Sequence, residues 1–206
     1  MKHFTEKDLN NLDRIYRINL INSCTGYKSA NLIATKSDDG IENVAIFSSI
    51  THLGSNPPLL GFVLRPTTVP RNTFDNLKKS GFFTVNHVHE KIIRDAHHTS
   101  AKYDGMISEF DKTSLVSEYK EDFYAPFVKG ARVQLGCAYV NHYPIKENDC
   151  LLIVGKICEL FCNADMLLED GFIQLEKGNT VTVNGLDGYA LPKLIHRAAY
   201  ARPKSE

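Results

Sequence analysis

The chain has 206 residues, 43% of them hydrophobic and 23% charged, with 24 basic and 24 acidic side chains and a formal net charge of zero. That size suits one domain spanning residues 1–206, and neutrality excludes the broad basic surface that nucleic acid would need. No apolar run approaches the ~20 residues of a membrane span, and the charged opening MKHFTEKDLNNL lacks a signal-peptide core, so a cytoplasmic protein is expected.

In chain order, Thr5 followed by Asp8 predicts the N-cap of a short leading helix. The stretch IYRINLINS, with Ile15, Arg17, Asn19 and Ile21 set against Tyr16, Ile18 and Leu20, reads as a near-alternating strand. ANLIATKSDDGIENVAIFSS reads as strand, turn and strand, with Asp39-Gly40 supplying hairpin chemistry. PLLGFVL is a short apolar run of the kind a buried strand shows, and FDNLKKSG forms a helix of about two turns ended by Gly81. GFFTVNHV gives a further buried strand and EKIIRDAHH a short helix.

From Thr99 to Lys129 the pattern is irregular, apart from a short strand at SLVSEY, and so long a stretch points to a functional or interfacial segment. ARVQLGCAYVNHYPI and CLLIVGKICELFC read as two long strands joined by a polar turn at Lys146–Asp149. A small helix near Asp165–Asp170 and the strand-like NTVTVNG follow. Many strands with few short helices, none alternating regularly with strands, predict a mainly β fold built on a closed antiparallel sheet. No GxGxxG or GxxxxGK[ST] motif is present, so any nucleotide is held by another device.

Five cysteines, Cys24, Cys137, Cys150, Cys158 and Cys162, form no CxxC spacing. On a continuous strand Cys158 and Cys162 share a face, and buried free thiols are expected rather than a disulfide. His87 and His89 sit two apart as a candidate metal pair, with His97, His98, His142 or a carboxylate as a third ligand; surface or capping roles are the alternative. No GxSxG elbow supports a serine hydrolase. Tyr103, Tyr189 and Tyr200 could stack on a planar ring or serve core and interface packing.

The turn LRPTTVPRNTF between the apolar strand and the helix carries the chemistry. Unpaired N–H groups and the positive dipole end of a helix start make an anion site. Arg65 and Arg71 can add bidentate contacts, Thr67, Thr68 and Thr73 hydroxyls, and Pro66 and Pro70 stiffness. The alternative is a solvated turn whose Thr73 caps the helix. Upstream, Asn43, Ala45 and Phe47 lead into Ser48-Ser49, a strand end offering donors beside an apolar wall for a planar heterocycle.

The order NxAxFSS, a PP-containing apolar strand, the Arg- and Thr-rich turn with NTFDNL, then GFFTVN and AHHTSAKYDGMISEF, resembles the flavin reductase-like FMN-binding proteins, which include flavoredoxin and the reductase components of two-component monooxygenases. The likeness covers roughly residues 15–160, with GYALPKLIHRAAYARP compatible but looser. The resemblance implies a split β-barrel of Greek-key type, a homodimer, and noncovalent FMN near the subunit interface. It implies that Asn43, Ala45, Phe47, Ser48 and Ser49 border the isoalloxazine or ribityl chain. Arg65, Arg71, Asn72 and Thr73 would surround the phosphate, with His98, Thr99 and Ser100 near the flavin, from either subunit. The implied activity passes electrons from NAD(P)H through FMN to free flavin or a partner protein, with no catalytic side chain named. Two alternatives stand beside it: a flavoredoxin-type carrier with tightly held FMN, and a metal-dependent β-barrel enzyme.

Overall fold

The apolar run ANLIAT belongs to a strand covered on both faces. In the computed structural model, which describes residues 1–68 and 71–203, that strand is Asn31–Lys36, and all but its last residue are buried. Ahead of it come α1 (Glu6–Asn11), α2 (Arg14–Cys24) and the two-residue β1 (Lys28–Ser29). Calling Asn31–Lys36 β2, the chain continues through β3 (Glu42–Phe47), β4 (Thr51–Ser55), β5 (Pro58–Leu64), α3 (Asn72–Ser80), β6 (Phe82–His87) and α4 (Ile93–His98). A two-stranded ribbon, β7 (Ser117–Glu118) and β8 (Phe127–Val128), precedes the long β9 (Val133–Ile145) and β10 (Cys150–Cys162); β11 (Thr182–Asn184) and β12 (Gly188–Ala190) close the chain. The predicted short strand at SLVSEY shrinks to the two residues of β7.

Seven strands form one antiparallel sheet in the order β3-β2-β6-β9-β10-β5-β4, beside a small sheet β1-β11-β12. The large sheet curls until its two ends meet. Phe47 at the end of β3 stacks edge-on against Phe62 of β5 at 5.2 Å, and Phe62 stacks on Phe83 at 5.6 Å. The Ser49 hydroxyl joins the same ends, accepting from the Val63 N–H at 3.0 Å and donating to the Val63 carbonyl at 3.2 Å.

The interior holds Ile33, Leu60, Phe62, Leu77, Phe83, Val85 and Ile153. A second cluster, with Leu32, Ala34, Val44, Ala96 and Phe110, covers the other face of β2 and β3. Because residues i and i+2 of a strand share a face, Ile33 serves one cluster and Leu32 and Ala34 the other.

The leading helix forms as expected, with Thr5 and Asp8 making a reciprocal capping box. The Asp39-Gly40 hairpin also forms, Gly40 taking φ +83°. Gly81 ends α3 in the left-handed region at φ +79°, where a side chain would be strained.

Three expectations fail. IYRINLINS is not a strand but lies in α2: the Asp13 carboxylate accepts from the N–H of Ile15 at 2.9 Å and of Tyr16 at 3.3 Å, opening a helix. Ile15, Ile18 and Ile21, three apart, fit helical spacing as well as the alternation did, and no residue of α2 is buried. Of the two thiols expected to be buried, Cys162 is half-buried and Cys158 is not buried. The pairing of β10 with β9 slips between Ile157 and Glu159, so Cys158 sits in a bulge and is exposed. The helix near Asp165–Asp170 is only a 3-10 turn at Ala164–Met166. All five cysteines are free.

Candidate functional site

Strand β5 runs straight into the Arg/Thr turn, and the turn into α3. Pro70 and Val69 lie outside the described residues, so the stiffening assigned to Pro70 is left aside. Arg71 is the N-cap of α3, and no side chain caps the helix. The N–H groups of Phe74 and Asp75 both donate to the Arg71 carbonyl, at 2.8 and 3.0 Å. Among the described residues no acceptor takes the Asn72 or the Thr73 N–H, the first-turn groups that a helix start leaves unpaired. Arg71 Nε donates to the Pro66 carbonyl at 3.3 Å, folding the guanidinium over the turn, while Arg65 is exposed with no hydrogen bond or ion pair among the described residues. Asp75, also in the first turn, adds a negative charge that any bound anion must tolerate.

The Thr73 hydroxyl neither caps the helix nor stands free. Thr73 is 6% exposed and donates to Asn43 Oδ1 at 2.9 Å. Asn43, equally buried, donates from Nδ2 to Glu109 Oε2 at 2.7 Å, and the same carboxylate oxygen accepts the Val44 N–H at 3.1 Å. Asn76 completes the cluster, donating to the Thr35 hydroxyl at 3.1 Å. Four segments (β2, β3, α3 and the 3-10 turn Glu109–Lys112) are thus pinned together, and α3 is held with its open N-terminal turn beside the start of β3.

Glu109 is the site's residue that sequence reading did not single out. It lies inside the quoted stretch AHHTSAKYDGMISEF, but nothing local in ISEF marks it as a ligand of β3; only its buried neighbours reveal that role. Burial holds its carboxyl above the ordinary range, while the hydrogen bonds from Val44 and Asn43 pull it back. Because Glu109 takes the Val44 N–H on the side away from β2, strand alternation aims the Ile46 N–H at that same open edge.

The expected residues divide into two groups. Asn72 and Thr73 meet Asn43 at the start of β3, and Asn72 Nδ2 reaches the Gly105 carbonyl at 3.3 Å, tying the segment after α4 to the turn. Phe47, Ser48 and Ser49 gather at the other end of β3 beside Val63, two residues before Arg65, with half-buried Ala45 between the groups. The hydroxyls of Asn43's network and of Ser49 are already committed, so those positions offer a ligand backbone and surface rather than free side-chain donors.

His98, Thr99 and Ser100 form the end of α4 and make no hydrogen bond to either group. His98 Nε2 pairs with the Tyr103 hydroxyl at 2.6 Å. The hydroxyls of Thr99 and Ser100 donate to the carbonyls of Ala96 and His97, both at 2.7 Å. Tyr189 pairs with His97, and Tyr200 is exposed.

The His87/His89 pair gathers no third ligand: among the described residues no group of three His, Cys, Asp or Glu could hold a metal. His87 Nδ1 is shut from solvent without a partner, and burial holds the imidazole down to about 4 from 6.5. The unfolded chain therefore takes up this proton first as pH falls from 6.5 toward 4. Up to about 3 kcal/mol of stability should be lost across that window, at ~1.4 kcal/mol per pKa unit. Urea titrations at about pH 7 and about pH 4.5 should show His87→Asn flattening this loss. An unaltered pH slope would refute the assignment.

A curled antiparallel sheet that runs from β5 through an arginine-bearing turn into α3 defines a split-barrel protein. Residues 26–176 match the model of the flavin reductase like domain, and the chain belongs to that family. It is similar to a candidate flavin reductase with a split barrel domain from Shewanella frigidimarina NCIMB 400, at 41% identity and TM-score 0.94 over 98% of this chain and 100% of that one. It shares its fold with nitrilotriacetate monooxygenase component B from Bacillus cereus, 20% identical, TM-score 0.82, over 96% and 98% of the two chains. An uncharacterised protein of Methanothermobacter thermautotrophicus is 30% identical over 152 residues, 71% of this chain and 69% of its own.

Proposed function

We propose that the chain is an oxidoreductase that binds FMN noncovalently and passes electrons from NAD(P)H to free flavin or a partner protein. The observation that carries this reading is the start of α3, where two first-turn N–H groups without a side-chain cap lie in a turn holding Arg65 and Arg71. That donor set suits a phosphate dianion, and the pinned network keeps it in place before any ligand arrives. Phe47 and the Ser48–Ser49 bend would border the ring system, and the Ile46 N–H, aimed at the open edge, supplies a fixed dipole where charge develops on reduction. FMN, when bound, supplies the hydride-accepting and electron-passing chemistry.

Purified protein should absorb between ~350 and ~500 nm and bleach when NADH is added without oxygen. A yellow protein that NADH does not bleach would support a flavoredoxin-type carrier, and a colourless one that cannot be loaded with FMN would end the proposal. Arg71→Ala is expected to weaken FMN binding by about 1–3 kcal/mol, read by flavin fluorescence titration. An unchanged dissociation constant would remove Arg71 from the site.

The same reading places two copies together. On the outer face of the sheet Val63, Leu152 and Tyr143 stand in one cross-strand row, with Leu53 beside it, and Val63, Tyr143 and Leu53 are exposed. Such a patch favours a covering partner, and light scattering that returns a monomer mass would remove the homodimer. A cytoplasmic location is in keeping with five free cysteines. No helix of the described residues is long and apolar enough to cross a membrane.

A further inference from the structure

A pocket of ≈ 160 Å³ opens between the hairpin that joins β2 to β3, the first turns of α3 and the segment after α4. Ser37 and Asp39 line it from the hairpin, Asn72, Asp75 and Asn76 from the helix, and Gly105 from the segment. These walls are tied to one another without any ligand. The Gly40 N–H donates to the Ser37 carbonyl at 3.0 Å, fixing the hairpin. Asn72 Nδ2 donates to the Gly105 carbonyl at 3.3 Å, and Asn76 Nδ2 to the Thr35 hydroxyl on β2 at 3.1 Å.

The lining is rich in oxygen and lacks positive charge. Asp39 and Asp75 both belong to it, and no lysine, arginine or histidine does. Among the described residues the ion pairs are Lys120–Glu118 and Arg197–Asp170, so neither pocket carboxylate has a cation beside it. Neither accepts a hydrogen bond from a side chain or from a backbone N–H among those residues. Two like charges opening on one small pocket repel each other, and a counter-ion between them removes that repulsion.

Acidic side chains on a surface are ordinary; the amide of Asn76 makes this pocket different. Asn76 is only 8% exposed and lies on the pocket wall. Its Nδ2 is turned inward to Thr35, so Oδ1, on the other arm of the amide, is turned to the pocket, where no donor meets it among the described residues. A nearly buried amide oxygen is normally satisfied, and here the satisfying group has to come from outside the chain. Gly105 keeps a second oxygen uncovered, since a Cβ there would come within 3.3 Å of Asn72 Oδ1. Carboxylates and amide oxygens together are the ligands of a hard divalent cation, and an irregular set completed by water suits calcium. The same charges repel a phosphate, so the pocket is no extension of the proposed anion site, although Asn72 borders both.

We propose that this pocket binds a hydrated divalent cation of the calcium type, held by Asp39 from the hairpin and by Asp75 and Asn76 from α3. None of these three is a proposed flavin contact, so the inference goes beyond the FMN reading and does not rest on it. Chelator-treated protein in about 0.1 M KCl, titrated with CaCl2 by calorimetry, should show one site per chain. With only two charged ligands its dissociation constant should be on the order of 10⁻⁴–10⁻³ M. Asp39→Asn and Asp75→Asn, both at exposed positions, should each weaken binding at least about tenfold and leave the circular dichroism unchanged. Asp38→Asn, next in the chain but outside the lining, is the control and should weaken it less than about threefold. No saturable heat from CaCl2 overturns the inference. So do equal losses in all three variants, which would mean diffuse charge and an adventitious ion only. Repeating the titration with saturating FMN separates the two readings. Calcium that binds only when FMN is present belongs to the flavin's phosphate, which removes this site and leaves the functional reading standing. Calcium uptake by a chain that cannot be loaded with FMN supports this site and ends the functional reading.

Discussion

Asn43→Leu should destabilise the fold by roughly 3–5 kcal/mol, the range for breaking a buried charged network from one side. Leucine keeps the volume and removes the amide. Thr73 then loses its acceptor at 2.9 Å, and the Glu109 carboxylate loses its donor at 2.7 Å while remaining 8% exposed. Chemical denaturation read by circular dichroism measures the loss. The same variant should loosen FMN binding, because the network sets the start of α3 against β3. Glu109→Gln is the informative companion: it keeps an oxygen to accept from Asn43 and Val44 and drops the buried charge, so its cost at neutral pH should stay within about 1 kcal/mol. If Asn43→Leu is also that mild, the cluster does not hold the helix, and the proposed phosphate site loses its support.

Phe62→Ala should cost about 3–5 kcal/mol, as large-to-small changes at fully buried aromatic positions do. Phe62 has no exposed surface and links Phe47 at the end of β3 to Phe83 on β6. The space cannot easily collapse, because Phe83 is already seated against Gly155, where an added Cβ would come within 2.5 Å of its ring. Unlike Asn43→Leu, this change acts on the closure of the barrel and should lower the melting temperature without altering the pH dependence assigned to His87. A loss below about 1 kcal/mol would mean the ring trio does not close the sheet.

Much of the fold could be read along the chain because its causes are local. Thr5 and Asp8 are three residues apart and cap α1; Asp39-Gly40 turns its own hairpin; Gly81 stops its own helix. The order of β5, turn and α3 follows from adjacent residues in the same way. Two errors arose where local pattern was ambiguous. Isoleucines at 15, 18 and 21 satisfy a helix as readily as alternation satisfies a strand, and the Asp13 cap decided for the helix. The bulge at Cys158 depends on how β10 pairs with β9, which no reading of β10 alone contains.

What the sequence by itself determined, then, is which residues the turn and the strand end would offer: Arg65, Arg71, Asn72, Ser48 and their neighbours. Only the tertiary structure decided which of those groups are still free. Asn43 is committed to Glu109, 66 positions away, Thr73 to Asn43 across 30, and Ser49 to Val63 across 14. Local order fixes backbone geometry within a few residues, whereas a hydroxyl or amide is satisfied by whatever the folded chain brings within about 3 Å.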